Sequence, residues 1–455
     1  MRTKTGTVHF DANVHAYKRG RYIYFLNAGN GSWAALPIRY AKCLMQEPAD
    51  QMHSEAYMEA YDSLAKASII DDPAYTKDEP IREKKPLLVK FQTTGECNLR
   101  CAYCFNDPSI RTNIMDEGVM RQSVDYVFSH PHAVHGVDFI IYGGEPLVRR
   151  ELLYKTILYI RESQPKDCKT YVGIITNGTL FTPEDAVFFR EHHVAVSVSF
   201  DGLPEFQDQN RRDDADAATS LGALRAIEMS KDGESLCILA TVTRNMSARL
   251  LDIALYFEEH GIPIIEFMPL RMLGTAEDKD ELSVNVKEYI QSLKDVVEAI
   301  EDGRIRNTSI RTILRMLLPL ETRQTVHGEI GCVRCGAGRD TVFIDCKGNI
   351  MGCDMIPAEL SPVIGDVWKG ITDIDKLDGI LQPQFTKLSG CKQCPWNRFC
   401  RSGCTGASAS DQHGNNRKHT LTCAVNKELY PYLLEKLVTD GGVLHEYFLQ
   451  HTTKN

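Results

Sequence analysis

Twelve of the fifteen cysteines in this chain fall into two tight groups, and that grouping constrains the fold more than any other feature. The first group is Cys97, Cys101 and Cys104. The second is Cys332, Cys335, Cys346, Cys353, Cys391, Cys394, Cys400, Cys404 and Cys423. Whether such cysteines pair or bind metal depends on the compartment. The N-terminus opens on polar sequence rather than the apolar core of a signal peptide, and no apolar run reaches the ~18–20 residues that span a bilayer. A cytoplasmic chain with no membrane contact is the expectation, and there grouped cysteines read as metal or cluster ligands before disulfides. Cys43, Cys168 and Cys237 belong to no motif and read as packed thiols.

At 455 residues the chain is too long for one core, so two to four domains are expected. A net charge of −9, with only short and scattered basic clusters, gives no nucleic-acid footprint. Residues 1–75 read as strands at 9–17, 21–27 and 32–36, then helical spacing at 38–46 and 54–67, a small winged-helix-like unit. A charged linker, 76–85, follows. From 86 to about 270, apolar strands at 87–92, 138–142, 171–176, 194–200, 236–243 and 263–268 alternate with helical stretches such as 115–128, 183–192 and 248–260. Six β–α repeats predict an α/β fold with a parallel sheet, either doubly wound or an open barrel. Both place ligands at the C-terminal ends of the strands. Residues 286–329 read as a helical connector and 426–455 as a C-terminal helix. Between them, 330–425 carries too little apolar material for its own core and needs clusters as staples.

The first cysteine group follows the first barrel strand directly, as C-x3-C-x2-C. Three thiolates suit an open metal position rather than a closed four-ligand zinc site, and a cubane so held leaves one iron free. With Tyr103 before the last cysteine, this resembles the radical S-adenosylmethionine (SAM, AdoMet) superfamily. The resemblance continues after the next strands. Gly143-Gly144-Glu145 matches the family's Gly-Gly-Glu motif, whose backbone contacts the AdoMet amine. Thr176-Asn177, Ser199 with Asp201, and Arg211 match polar positions that contact its ribose and carboxylate. In that family one-electron cleavage of AdoMet generates a 5′-deoxyadenosyl radical, which removes a hydrogen atom from the substrate.

The second cysteine group resembles the SPASM extension of radical SAM peptide-modifying enzymes, so the resemblance spans 86–425, a partial (β/α)6 TIM-like barrel (86–285) plus SPASM domain. It implies three [4Fe–4S] clusters. Cys335, Cys353 and Cys404 would bind one auxiliary cluster, with Cys332 favoured over Cys346 or an open iron for the fourth position. Cys391, Cys394, Cys400 and Cys423 would bind the other. Asp354 stands where sulfatase-maturing relatives place a candidate base. The front unit resembles the peptide-recognition domain of maturases of ribosomally made peptides, which holds a leader as an added strand. The implied activity is cross-linking of a precursor peptide, Cys thioether first, with a flavodoxin or ferredoxin as electron donor. A formylglycine-forming sulfatase maturase is the rival within the class. A non-catalytic, zinc- or cluster-stabilised peptide-binding module is the rival outside it.

Overall fold

The computed structural model describes residues 10, 13–45, 55–70, 85–106, 108–321, 336–354, 362–376, 391, 394–400, 404 and 420–452. The linker at 76–84, with Cys332 and Cys335 and the side chain of Cys43, lies outside these residues.

The front unit is an antiparallel sheet in the order β1 (Val14–Arg19), β2 (Tyr22–Asn27), β3 (Trp33–Pro37). Lys18 and Arg19, expected as a break, instead finish β1, because Gly20 supplies the positive φ of 55° that turns the chain. Helices Ile38–Met45 and Glu55–Lys66 cover one face. Alternation along β2 divides its side chains between two cores. Phe25 packs under those helices with Leu36, Tyr57 and Leu64, whereas Tyr24 and Leu26 join the main core of the molecule. The front sheet is thus built into the body. Trp33 Nε1 donates to the Leu320 carbonyl at 2.9 Å, Arg19 pairs with Glu435, and Tyr17 meets Trp396 edge-on.

All six barrel strands form, as β4 (Leu87–Thr94), β5 (Val137–Gly143), β6 (Thr170–Thr176), β7 (Val194–Ser199), β8 (Leu236–Val242) and β9 (Ile264–Pro269). They are parallel and neighbour one another in chain order. That order never reverses, so there is no switch point and the doubly wound option falls. The sheet curls: Thr275, in the loop after β9, donates its N–H to the Cys104 carbonyl in the loop after β4 at 2.9 Å. First and last strands therefore meet at their C-terminal ends. On β4, Leu87, Val89 and Phe91 are wholly buried in the outer core, which leaves Leu88 and Lys90 facing the lumen.

The sheet also continues past the barrel. Two-residue β10 (Ser309–Ile310) pairs parallel with β9. On the other side β11 (Thr341–Ile344) pairs parallel with β4, and β12 (Asn349–Met351), β13 (Val363–Asp366) and β14 (Gly370–Ile371) follow antiparallel. The cysteine-rich stretch, read as lacking regular structure, thus extends the barrel's own sheet. Its strands are two to four residues long, too short for a periodicity of two to show. The connector forms helices Val286–Glu301 and Arg311–Glu321. The single C-terminal helix expected at 426–455 is two, Thr420–Thr439 and Val443–Thr452. Gly441 and Gly442, at φ 74° and 98°, break it.

Candidate active site

The cysteine loop is clamped from three sides. Ala102 N donates to Asn210 O at 2.8 Å and Arg100 N to Arg212 O at 2.7 Å, on the segment after β7. Lys279 Nζ reaches the Ala102 carbonyl at 2.8 Å and the Thr275 hydroxyl the Cys104 carbonyl at 3.2 Å, on the segment after β9. From β5, Gly144 N donates to Thr94 O at 2.8 Å and Glu145 N to Glu96 O at 2.7 Å. This explains the two glycines on protein grounds. A Cβ at Gly143 would stand 2.0 Å from the Thr94 carbonyl oxygen, and one at Gly144 2.1 Å from that of Glu96. The close approach they permit is to the cysteine loop itself.

Glu145 is buried and satisfied. Its carboxylate accepts from Leu147 N at 3.0 Å, the Thr176 hydroxyl at 2.7 Å and Asn177 N at 2.6 Å, tying the end of β5 to the end of β6. Burial nonetheless outweighs these bonds and pushes its pKa up to about 7. Asn177 Nδ2 donates to Asn98 Oδ1 at 3.0 Å, inside the cysteine loop. Ser199, closing β7, is half-buried.

Asp201, Arg211 and Tyr103 were expected as cofactor contacts. Their side chains bond one another beside the cysteine loop. Asp201 Oδ1 accepts from Arg211 Nε at 3.1 Å and Thr241 N at 3.3 Å. Its Oδ2 accepts from the Tyr103 hydroxyl and from Asn210 Nδ2, the latter at 3.2 Å. The Arg211 guanidinium also lies over the Tyr103 ring, 5.2 Å from its centroid. Burial would lower the Arg211 pKa, but the Asp201 charge more than reverses this and holds the guanidinium charged.

The three thiols of this loop are half-buried. Burial first, then the Glu145, Cys101 and Cys104 charges, push the Cys97 thiol up to about 12. Burial also raises Cys101, with Arg211 opposing it. Three neighbouring thiolates are held together only around positive charge, and they are the donor set an iron–sulfur cluster requires. Among the described residues no three His, Cys, Asp or Glu side chains converge on one ion. Cysteines bound to separate irons of a cubane have no need to.

Downstream, the geometry gathers Cys391, Cys394, Cys400 and Cys423. Burial pushes Cys400 up to about 11, with Cys394, Cys423 and Cys391 adding to the rise, and Asn426 Nδ2 donates to Cys400 Sγ at 3.0 Å. Cys404 is half-buried. Cys346 is buried and its thiol faces the Asn113 carbonyl at 3.7 Å. Cys168 and Cys237 are buried thiols. Cys353 Sγ lies 3.4 Å from Asp354 Oδ1, and Asp354 accepts from Lys90 Nζ at 2.5 Å. Lys90 was not singled out in the sequence, although a lysine inside an apolar strand was the signal. Asn98, Asn210 and Thr275, which hold the loop, carried no signal.

Residues 91–266 match the Radical SAM superfamily. These residues form a radical SAM domain, and the chain is an enzyme. Among characterised proteins it is 26% identical over 362 residues to the cysteine-type anaerobic sulfatase-maturating enzyme of Clostridium perfringens, covering 77% of this chain and 97% of that one. The solved structure of native anSMEcpe with bound AdoMet superimposes with a TM-score of 0.63 at 25% identity, over 78% of this chain and 98% of that chain. Streptococcus suis SuiB bound to precursor peptide SuiA shares the fold, with a TM-score of 0.57 at 14% identity over 91% and 99% of the two chains. AdoMet and an iron–sulfur cluster are the cofactors the superfamily implies. Among the described residues no helix is long and apolar enough to cross a membrane.

Proposed function

We propose that this chain oxidatively matures a peptide, using AdoMet and three [4Fe–4S] clusters, and that it forms a Cys thioether cross-link. The observation that carries the reading is the clamped loop of Cys97, Cys101 and Cys104 at the mouth of a polar barrel, with Cys353 and Asp354 inside the same barrel. In our assignment the first three cysteines hold the AdoMet cluster. Cys332, Cys335, Cys353 and Cys404 hold one auxiliary cluster, and Cys391, Cys394, Cys400 and Cys423 the other. The burial of Cys346 against Asn113 favours Cys332 as the fourth ligand. The clusters and AdoMet supply the one-electron chemistry. The protein's share is positional: Gly143, Gly144, Thr176, Asn177 and Ser199 form the rim where AdoMet would lie, while Asp201, Arg211 and Tyr103 fix the loop from below. Asp354 would take the proton from the substrate thiol, with Lys90 holding its carboxylate in place. The front sheet would take the leader peptide on an edge, and a flavodoxin or ferredoxin would supply electrons.

The sulfatase-maturating relative supports a second reading, oxidation of a Cys or Ser side chain to formylglycine. That relative matches 77% of this chain, whereas the SuiB fold matches 91%, which favours the peptide-maturase reading. Anaerobic reconstitution followed by iron counting, deoxyadenosine assay and mass spectrometry of a co-expressed peptide tests both. About twelve irons in wild type, falling to about eight in a Cys97/Cys101/Cys104→Ala variant, supports the cluster assignment. A peptide that loses two hydrogens and whose cysteine no longer alkylates supports the thioether, and one that loses sulfur, or loses two hydrogens and gains a hydrazine-reactive aldehyde, supports formylglycine. Wild type loaded with iron but making no deoxyadenosine, with or without peptide, overturns the proposal.

A further inference from the structure

The lumen holds a group of charges that does not balance. Lys90 enters from β4 and pairs with Asp354, whose side chain is 6% exposed against 25% for the lysine. Arg271 lies two residues past the C-terminal end of β9. Burial depresses the Lys90 pKa, Asp354 and then Cys353 overcome that to give a net rise, and the Arg271 charge is near enough to act against them. Arg271 Nη1 is buried, and among the described residues nothing accepts a hydrogen bond from it. Asp354 is already engaged by Lys90, and among the described residues Arg271 makes no ion pair. The neighbouring wall repeats the imbalance, with Arg311 and Arg315 both directed at Glu266 of β9.

A buried guanidinium nitrogen with an unused N–H is unfavourable unless an acceptor arrives. Its planar fork matches a carboxylate better than any other common group. Lys90 leaves Arg271 as the group with donor capacity to spare. We propose that Arg271 is a specificity-determining residue that receives a carboxylate of the peptide substrate, an Asp or Glu side chain near the residue being modified. This rests on the peptide-maturase reading above. The substrate segment inside the barrel is accordingly acidic, and the Lys90–Asp354 pair lies beside the anchored carboxylate.

The test uses reconstituted holoenzyme with AdoMet and fluorescein-labelled short peptides built round one cysteine. Each carries Glu at one flanking position and has a twin with Gln there. Peptide affinity is read by fluorescence anisotropy, and AdoMet affinity separately by equilibrium dialysis. Wild type should bind at least one Glu peptide about tenfold more tightly than its twin. Arg271→Gln should abolish that preference and leave AdoMet affinity within about twofold, and Arg271→Lys, which keeps the charge without the fork, should retain about a third of it. Should Arg271→Gln melt early, Arg271→Lys decides: an undiminished preference overturns the assignment. Persistence of the preference in Arg271→Gln overturns it as well. A tenfold loss of AdoMet affinity in Arg271→Gln, with no change in Glu preference, would show that the guanidinium serves the cofactor's carboxylate instead. Peptides that bind wild type equally well sink the role of Arg271 and leave the maturase reading standing. If no peptide binds at all, the role of Arg271 falls, and the maturase reading stands on the deoxyadenosine and product assays, since these short peptides carry no leader for the front sheet.

Discussion

Two buried ion pairs occupy the same barrel and are built differently. Around Asp201 both carboxylate oxygens are taken twice over, by Arg211, Thr241, Tyr103 and Asn210, and the carboxylate is fully buried. Around Asp354 the lysine retains access to solvent and a second cation, Arg271, has a donor left over. A closed network specifies one arrangement and tolerates nothing new. An open one is held short of completion by the fold and is completed by something else. Burial of charge does not by itself mark a site, because what sets the proposed site apart is unused hydrogen-bonding capacity.

The contrast can be broken by experiment. Asp201→Asn removes the charge from the closed network and leaves Arg211 buried and unpaired, so it should lower unfolding free energy by about 3–5 kcal/mol. Chemical denaturation measures this, and a wild-type midpoint would mean that the network is not scaffolding. Glu145, in the same closed tier, should impose a pH slope. Its folded pKa is raised from 4.5 to about 7, so the folded state holds the proton more tightly than the unfolded chain. That contribution is fully present below about pH 4.5 and is lost as pH rises through about 7, roughly 3 kcal/mol in all. Glu145→Gln should flatten the slope in denaturation curves taken across that range. Asp354→Asn should be milder, about 1–2 kcal/mol, because solvent reaches Lys90 and softens the loss. It should leave AdoMet cleavage intact while product formation, followed by mass spectrometry, disappears. Smallest of all, Arg19→Ala at the partly exposed pair with Glu435 should change stability by less than about 1 kcal/mol. A larger fall in melting temperature would mean that the front sheet depends on that pair for its seat.

The sequence made the barrel strands legible because each is a run of six to eight largely apolar residues beside a helix of regular period. The cysteine loop was legible because its spacing is specific. What stayed hidden depends on distant partners. Strands β11 to β14 exist because β4 offers them an edge, and no local pattern encodes that. Asp201 and Arg211 were visible as polar residues after a strand, but the sequence cannot say that they pair with each other. Lys90 and Glu266 each interrupt an apolar strand, which marks them as inward charges once the strand's alternation is trusted. Arg271 had no such signal, since it sits in a loop where any charge is ordinary.

The continuity of the sheet from β4 into β11 bears on how this chain can be dissected. A protein cut before residue 336 would keep its radical SAM fold on paper but leave one edge of β4 unpaired along Leu88, Val89, Lys90 and Phe91, where β11 now bonds it. Raw rims of that kind recruit strands from neighbouring molecules and seed aggregation. The cysteine-rich extension therefore acts as the barrel's selvedge, and insolubility of a truncated barrel would report a missing border rather than a missing cluster.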